Sequence, residues 1–328
     1  MPTNRAPAAG LLLALAAALL PGPADAAALT SYIASRLPWR SGAAGAGLAF
    51  APWRHRALDV LVLYAPHRDW WSMSNYLQGP SLKNLVRWTP QTVLSLAMVP
   101  ASAKGQFAAC AAGAFDPYFR QFGQLMAQDG AGRAVVRLGI EPNVGSASHP
   151  WGVDSVDQIP AWVGCFRREA AALKATAPGL RIEWTMAKRG KLPVNLLAMY
   201  PGDDAVDLVG VHYYDTGPVK STQALWDQYY DATWNGGPWG LGTWLAAARA
   251  HGKGLAVSEW GVWDNGQGAA AADDPVYIRN MYGFFRAHAD RLEYESYFDD
   301  RPGVNQIFPV GAFPRASAAY QQLWATGQ

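Results

Sequence analysis

The chain has 328 residues, of which 50% are hydrophobic and 16% are charged. This composition excludes a disordered polymer and predicts a large folded core. The formal net charge is +2, from 27 basic and 25 acidic residues without long runs of one sign, which argues against nucleic acid or a membrane surface as a partner. The 15 Trp, 14 Tyr and 11 Phe residues stand out, because large rings are costly to expose unless something stacks on them.

The N-terminus has the pattern of a secretory signal. Arg5 precedes an apolar run over residues 8–20, and the small-x-small cleavage pattern Ala24-Asp25-Ala26 follows. We therefore predict a signal peptide over residues 1–26, a mature domain over residues 27–328, and a secreted or periplasmic location. An uncleaved anchor is the alternative, although the apolar run is short for a membrane span.

The two cysteines, Cys110 and Cys165, leave two interpretations open. In an oxidising compartment they can form one disulfide, while two buried free thiols explain the count equally well. No histidine lies at a ligand-like spacing from either, so we predict no metal and no cofactor.

Short apolar, β-branched runs alternate with helical patterns along the chain. Eight strands are predicted, over residues 47–51, 58–64, 92–98, 134–139, 181–186, 207–213, 254–258 and 292–298. Helices are predicted over residues 118–128, 161–175, 276–288 and 314–324, the first and third opening on the Asp-Pro pairs Asp116-Pro117 and Asp274-Pro275.

Eight strands alternating with helices predict parallel pairing and closure into a single-domain α/β fold, the (β/α)8 TIM barrel. A doubly wound open sheet is the alternative, but no glycine-rich phosphate loop follows an early strand. We expect a monomer.

Two glutamates end predicted strands that lie on different sides of such a barrel. Glu141 follows the fourth strand on the face of Arg137, and Glu259 ends the seventh strand on the face of Val257. Active sites of these barrels form at the carboxyl ends of the strands, and a pair of carboxylates there is what glycoside hydrolysis needs, as acid and as nucleophile. Arg137 is placed to keep one of them charged.

The segment Arg137-Leu138-Gly139-Ile140-Glu141-Pro142-Asn143 resembles the R-x-x-x-E-x-N signature of glycoside hydrolase family 26 and its relatives. Ser258-Glu259-Trp260-Gly261, residues 206–215 and residues 296–299 are similar to further strands of that family. The resemblance implies Glu141 as the acid/base, Glu259 as the nucleophile and a hydrogen bond from Tyr214 to the nucleophile. It implies a mannan, mixed-linkage glucan or xylan as substrate.

One position departs from that family. Its mannanases usually have His immediately before the acid/base, where this chain has Ile140, and the residues after the signature are replaced by residues 145–149 and Trp151. We therefore expect a reshaped cleft that lacks one polar contact to the sugar, with mannan as one of several candidate substrates.

Several further side chains are candidates for contact with sugar. His212 shares a face with Tyr214, although a core histidine is nearly as good an interpretation. Tryptophans beside strand ends offer stacking surfaces, whereas Trp53, Trp162 and Trp244 are predicted to pack in the core. The complete set of predicted sugar contacts is Asn143, His212, Trp70, Trp151, Trp260, Trp263 and Tyr297, with Trp71 a weaker candidate.

The leading hypothesis is a retaining endo-β-glycosidase of the cell exterior that cleaves a plant β-glycan or a bacterial exopolysaccharide by double displacement. A carbohydrate-binding protein on a hydrolase scaffold is the alternative. A polysaccharide esterase ranks lower, because no G-x-S-x-G motif is present.

Overall fold

Eight parallel strands close into a barrel, each paired with its neighbours in chain order. The computed structural model describes residues 35–45, 47–86, 91–217, 219–266 and 268–327, so the predicted signal peptide lies outside the described residues. The strands are β1 (Ser41–Ala44), β2 (Val60–Tyr64), β3 (Gln91–Leu96), β4 (Val135–Leu138), β5 (Arg181–Ala187), β6 (Leu208–Tyr214), β7 (Gly254–Gly261) and β8 (Leu292–Phe298). The (β/α)8 prediction is confirmed.

Helices surround the barrel and connect its strands. They are α1 (Phe50–Trp53), α2 (Trp70–Leu77), α3 (Pro80–Val86), α4 (Phe107–Ala111), α5 (Asp116–Gln128), α6 (Ile159–Thr176), α7 (Gln223–Tyr230), α8 (Leu241–Ala250), α9 (Ala269–Ala272), α10 (Pro275–Ala287) and α11 (Pro314–Thr326). A short hairpin, Thr233–Trp234 with Gly237–Pro238, lies between α7 and α8. In the described residues, no helix is both long and apolar enough to span a membrane.

The first predicted strand, over residues 47–51, is wrong. Those residues form a 3-10 turn and the start of α1, and the first strand of the barrel is Ser41–Ala44. The strand is built from small residues because the barrel is tight there. A Cβ on Gly42 would lie 2.5 Å from the carbonyl oxygen of Val60, which no larger residue tolerates.

The two predicted Asp-Pro helix starts behave differently. Asp274 caps α10, accepting hydrogen bonds from the backbone N–H groups of Val276 and Tyr277. Asp116 is instead the first helical residue of α5 and pairs with Arg168 of α6 at 2.6 Å. The carboxylate of Asp116 therefore joins α5 to α6 and does not cap a helix.

Apolar packing occurs in two layers. Inside the barrel lie Ala44, Val60, Val62, Val93, Val135, Leu208, Ala256 and Tyr294, while a larger cluster fills the space between the strands and the helices. A disulfide between Cys110 and Cys165 joins α4 to α6, which settles the question that the sequence left open.

Candidate active site

Glu141 is brought to the mouth of the barrel by a left-handed backbone. β4 ends at Leu138, Gly139 has φ +48° and Glu141 itself has φ +51°. A non-glycine residue with positive φ is uncommon and is often found at functional sites. The backbone N–H of Glu141 still donates to the carbonyl of Thr185 at 3.0 Å, so the residue is anchored to β5 although it lies beyond the strand.

Glu259 points into the barrel because β7 contains an irregularity. Ala256 pairs with Gly210, but Glu259 pairs with His212, so β7 carries one extra residue over this stretch. Ala256 lies in the barrel interior and Val257 in the outer layer, while both Ser258 and Glu259 contact interior side chains. The expectation that Glu259 shares its face with Val257 is therefore wrong, and the bulge is the reason.

His212 lies between the two glutamates. Its Nδ1 is 2.8 Å from Oε1 of Glu141, and its Nε2 is 3.3 Å from Oε1 of Glu259. His212 is buried on β6. One imidazole therefore contacts both carboxylates from opposite sides of its ring.

Three further side chains donate to the carboxylate of Glu259. Tyr64 at the end of β2 donates to Oε1 at 2.8 Å, Tyr214 at the end of β6 donates to Oε2 at 2.7 Å, and Arg137 donates to Oε1 at 2.6 Å. Arg137 also contacts Nε2 of His212. Charge-assisted contacts of this kind stabilise an ionised carboxylate.

Burial and these partners act in opposite directions on the pKa of each glutamate, and in both cases the partners prevail. Burial raises the pKa of Glu259, but the charges of His212 and Arg137 hold it below its ordinary value. Burial also raises the pKa of Glu141, while His212 and the hydrogen bond from His149 hold it below its ordinary value. Both carboxyls are thus ionised when the site is empty.

The floor of the site is a polar network inside the barrel. Arg137 is fully buried, and its Nε lies 3.9 Å from Oε1 of Glu183. Glu183 accepts hydrogen bonds from Thr185 at 2.8 Å, Ser258 at 2.6 Å and Tyr294 at 2.5 Å. These hydrogen bonds position the carboxylate of Glu183, which lies at ion-pair distance from the guanidinium that holds Glu259.

Aromatic rings border Glu259 on the outer side. The ring of Trp263 lies 4.8 Å from that of Tyr214, and Phe298 lies 6.1 Å from both Tyr214 and Tyr64. All four side chains are half-buried. Trp263 therefore packs on Tyr214, which itself donates to the predicted nucleophile, and the guanidinium of Arg301 lies 5.8 Å from its ring centre.

Two predicted sugar contacts lie in the core instead. Trp260 has no exposed surface and donates its indole N–H to Glu295 at 2.7 Å, and Tyr297 is equally buried and donates to the carbonyl of Asn305 at 3.1 Å. Each comes directly after a strand residue whose side chain faces the barrel interior. Because successive side chains of a strand point to opposite faces, Trp260 and Tyr297 face outward, toward the helices. We correct both assignments.

Asn143 and Trp151 also have structural partners. The amide of Asn143 is fully buried and exchanges hydrogen bonds with the backbone of Ala187 at 2.9 and 3.1 Å. Trp151 is buried and donates to the carbonyl of Ile140 at 2.7 Å. Their polar groups hold the backbone around Glu141, which corrects their prediction as sugar contacts.

Trp70 packs against a helix of the outer layer. Its ring stacks on Tyr118 of α5 at 4.5 Å and packs against Phe115, and its prediction as a sugar contact stays a prediction. Trp71, beside it, has 67% of its surface exposed.

Tyr64 and His149 are site residues that the sequence analysis missed. Tyr64 ends a strand, and the rule that selected Glu141 and Glu259 would have selected it. His149 stacks on Trp151 at 5.0 Å and places Nε2 3.5 Å from Oε2 of Glu141. Only the folded loop reveals that second histidine, because eight residues separate it from Glu141.

Other features lie outside this site. A cavity of about 760 Å³ is lined by Arg36, Trp39, Asp59 and Glu293 among others, and contains none of the side chains around the glutamates. Among the described residues, no group of three or more His, Cys, Asp or Glu side chains is arranged to hold a metal ion.

The described residues form a (β/α)8 barrel with a pair of glutamates at its mouth. Similar solved structures are a modular endo-β-1,4-mannanase of family 26 from Cellulomonas fimi (16% identity, 93% of this chain and 76% of that chain, TM-score 0.64) and a family 26 protein from a Muricauda species (15% identity, 88% and 86%, TM-score 0.60). A family 26 β-mannanase from Bacteroides ovatus is similar over 93% of this chain and 94% of its own (12% identity, TM-score 0.55).

The likeness is one of fold. No protein-family model matches the chain, and a search of curated proteins found no match. The resemblance of this chain to family 26 in fold is therefore shown by structure, at sequence identities of 12 to 16%.

Proposed function

We propose that the protein is a retaining endo-β-glycosidase that hydrolyses a β-linked polysaccharide, with Glu259 as nucleophile and Glu141 as acid/base. The observation that carries the proposal is the shared contact with His212, at 2.8 Å from Glu141 and 3.3 Å from Glu259. Because both carboxylates contact the same imidazole, they line one site at the barrel mouth, as two-carboxylate glycoside hydrolysis requires.

In the first step, an ionised oxygen of Glu259 attacks the anomeric carbon as the bond to the leaving sugar breaks. Glu141 gives its proton to the leaving oxygen. In the second step, Glu141 takes a proton from water, which attacks the same carbon and releases Glu259. Tyr64, Tyr214 and Arg137 support the charged state of Glu259 that both steps require.

Glu141 needs a proton for the first step, although its pKa is low in the empty site. His212 and His149 are two of the groups that hold this pKa down, through their contacts with the Glu141 carboxylate. A sugar chain that excludes water disfavours the charged carboxylate and raises the pKa of Glu141. Glu141 then binds a proton from solvent, and this is the proton that it gives to the leaving oxygen.

An extracytoplasmic location fits the disulfide between Cys110 and Cys165, because such bonds persist in oxidising compartments. Cleavage after residue 26 gives the mature domain of our proposal. N-terminal sequencing of the exported protein tests it, and a mature chain that still begins at Met1 would contradict it.

The activity is tested by incubating the purified protein with defined β-glucans, β-mannans, xylans and bacterial exopolysaccharides and by sizing the products. We expect internal cleavage of one class with retained anomeric configuration. A 2-fluoro glycoside of the released sugar should label Glu259, as read by peptide mass spectrometry. Binding of a glycan without product release on the whole panel would instead support the non-catalytic alternative.

A further inference from the structure

Outside the glutamate site, two tryptophans and an arginine form a group that we call the rim platform, defined by Arg189, Trp234 and Trp239. The guanidinium carbon of Arg189 lies 5.0 Å from the ring centre of Trp234 and 5.5 Å from that of Trp239. The two indole rings are 6.0 Å apart and nearly perpendicular. Arg189 and Trp234 are exposed, and Trp239 is half-buried.

Arg189 is an exposed cation. Among the described residues, no Asp or Glu oxygen lies within ion-pair distance of its guanidinium. An aromatic ring attracts a guanidinium through its π face. This contact does not occupy the N–H groups of the guanidinium, which stay free to donate hydrogen bonds. The platform therefore combines exposed aromatic surface with free donors.

The platform lies at the same end of the barrel as the glutamates. Arg189 follows Ala187, the last residue of β5, by two positions. The next residues pack on the loop that carries Glu141, because a Cβ on Gly190 would lie 2.8 Å from Cβ of Asn143, and Lys191 donates its backbone N–H to the carbonyl of Asn143 at 2.9 Å.

The hairpin that carries Trp234 is tied to the loop after β5. Asn195 donates to the carbonyl of Gly236 at 3.1 Å. With its amide oriented to satisfy its neighbours, Asn235 accepts from the indole N–H of Trp234 at 2.8 Å and from the backbone of Val194 at 3.3 Å. Asn235 and Gly236 have positive φ, which is typical of a tight hairpin turn. These bonds hold Trp234 in place before any ligand arrives.

We propose that the rim platform is a remote subsite for a β-linked glycan that carries carboxylate groups, so that the substrate is an acidic polysaccharide. Arg189 binds a sugar carboxylate through its paired N–H groups, and Trp234 stacks on the apolar face of a sugar ring. This inference rests on the proposed function, because it assumes that one glycan extends from the rim platform to the two glutamates. It adds the chemical class of that substrate.

The test measures binding apart from cleavage. The variant Glu259→Gln is titrated by calorimetry with β-1,4-mannohexauronate and with β-1,4-mannohexaose, which differ only in their carboxylates, and with the corresponding hexamers of β-1,4-linked glucuronate and glucose. We expect at least about a tenfold preference for one acidic hexamer over its neutral partner, the size of one charged hydrogen bond.

Arg189→Met and Arg189→Lys in the same background separate charge from geometry. We expect Arg189→Met to abolish the preference and Arg189→Lys to keep part of it, while Arg133→Ala, an exposed arginine elsewhere, leaves it unchanged. Trp234→Ala should weaken acidic and neutral hexamers by equal factors. Unfolding temperatures of all variants are measured in parallel, and each should stay close to that of the parent.

Equal affinity for acidic and neutral partners in both pairs would overturn the proposal. So would a preference that survives Arg189→Met, or an Arg189→Met effect confined to the unfolding temperature, which would make the platform a structural clamp. A preference without hydrolysis in the wild-type protein would contradict the proposed function alone, because the titration requires no turnover.

Discussion

The Nδ1 atom of His212 lies 2.8 Å from Oε1 of Glu141, and Nδ1 is the donor in this bond. The assignment follows from the other side of the ring, where Nε2 faces Nη2 of Arg137, a group that can only donate. The predicted acid/base therefore accepts a hydrogen bond from the imidazole, which favours its ionised form. This relationship leads to two predictions about catalysis.

Replacing Glu141 by Gln should affect substrates according to their leaving groups. We expect the rate on the polysaccharide to fall by about 10²- to 10⁴-fold, because the leaving oxygen loses its proton donor. A dinitrophenyl glycoside of the same sugar needs no protonation, so its first step should be nearly unaffected. Values of kcat/KM across aryl glycosides of graded leaving-group pKa measure this difference.

The matched control for that variant is Glu293→Gln. Glu293 is paired with Arg181 at 2.9 Å, in the wall of the separate cavity, and its loss should change neither substrate class. An equal loss of activity on both kinds of substrate in Glu141→Gln would remove Glu141 from the acid/base role.

Replacing His212 by Asn should move the pH profile of kcat/KM to higher pH on both limbs. His212 lowers the pKa of Glu259 and of Glu141, so its removal raises both values. The nucleophile then ionises at higher pH, and the acid keeps its proton to higher pH. The pH profile of His212→Asn, compared with that of His251→Asn on the surface, measures the shift. If neither limb of the pH profile moves and only its plateau falls, His212 only positions the two glutamates.

The sequence predicted the barrel and the two glutamates because both depend on local signals. Apolar runs of strand length alternate with capped helices, and polar residues at strand ends gather at one face of a parallel barrel. The strand β1 was missed for a physical reason, since Ser41-Gly42-Ala43-Ala44 carries no β-branched residue and owes its conformation to the close contact of Gly42 with Val60.

Side-chain direction was harder to predict than position. The bulge in β7 turns Ser258 and Glu259 to the same side, and no sequence pattern marks it. Trp260 was placed at the sugar because it follows a site residue, although alternation sends it into the core. His149 reaches Glu141 only through a loop whose course is set by tertiary contacts such as the bond from Ser146 to Asp154 at 2.9 Å.

The disulfide between Cys110 and Cys165 should contribute substantially to stability. It closes a loop with a sequence separation of 55 residues, for which the chain-entropy model gives about 4 kcal/mol. We expect Cys110→Ala with Cys165→Ala to lower the free energy of unfolding by about 2–4 kcal/mol, as measured by urea denaturation. Because the bond joins α4 to α6, away from the glutamates, kcat should be unchanged below the new unfolding temperature. An unchanged urea midpoint would contradict this.

Glu169 is the buried carboxyl whose removal should stabilise the protein. It lies on the inner face of α6, fully buried, and in the part of the chain that the structure describes neither carboxyl oxygen has a hydrogen-bond partner. Burial therefore raises its pKa well above the ordinary value. An acid with a raised pKa in the folded state favours folding at low pH, and this advantage is lost as the pH rises through the folded-state value.

We expect Glu169→Leu to raise the free energy of unfolding by about 1–3 kcal/mol at pH 8, the cost of an unsatisfied buried polar group, and by less at pH 5, where the wild-type carboxyl is neutral. Glu169→Gln keeps the shape of the side chain but cannot ionise, so it should raise the free energy of unfolding at pH 8 only. Urea unfolding of the three proteins at both pH values measures these differences. A gain for Glu169→Leu that is equal at both pH values would show that packing, and not charge, determines the effect at this position.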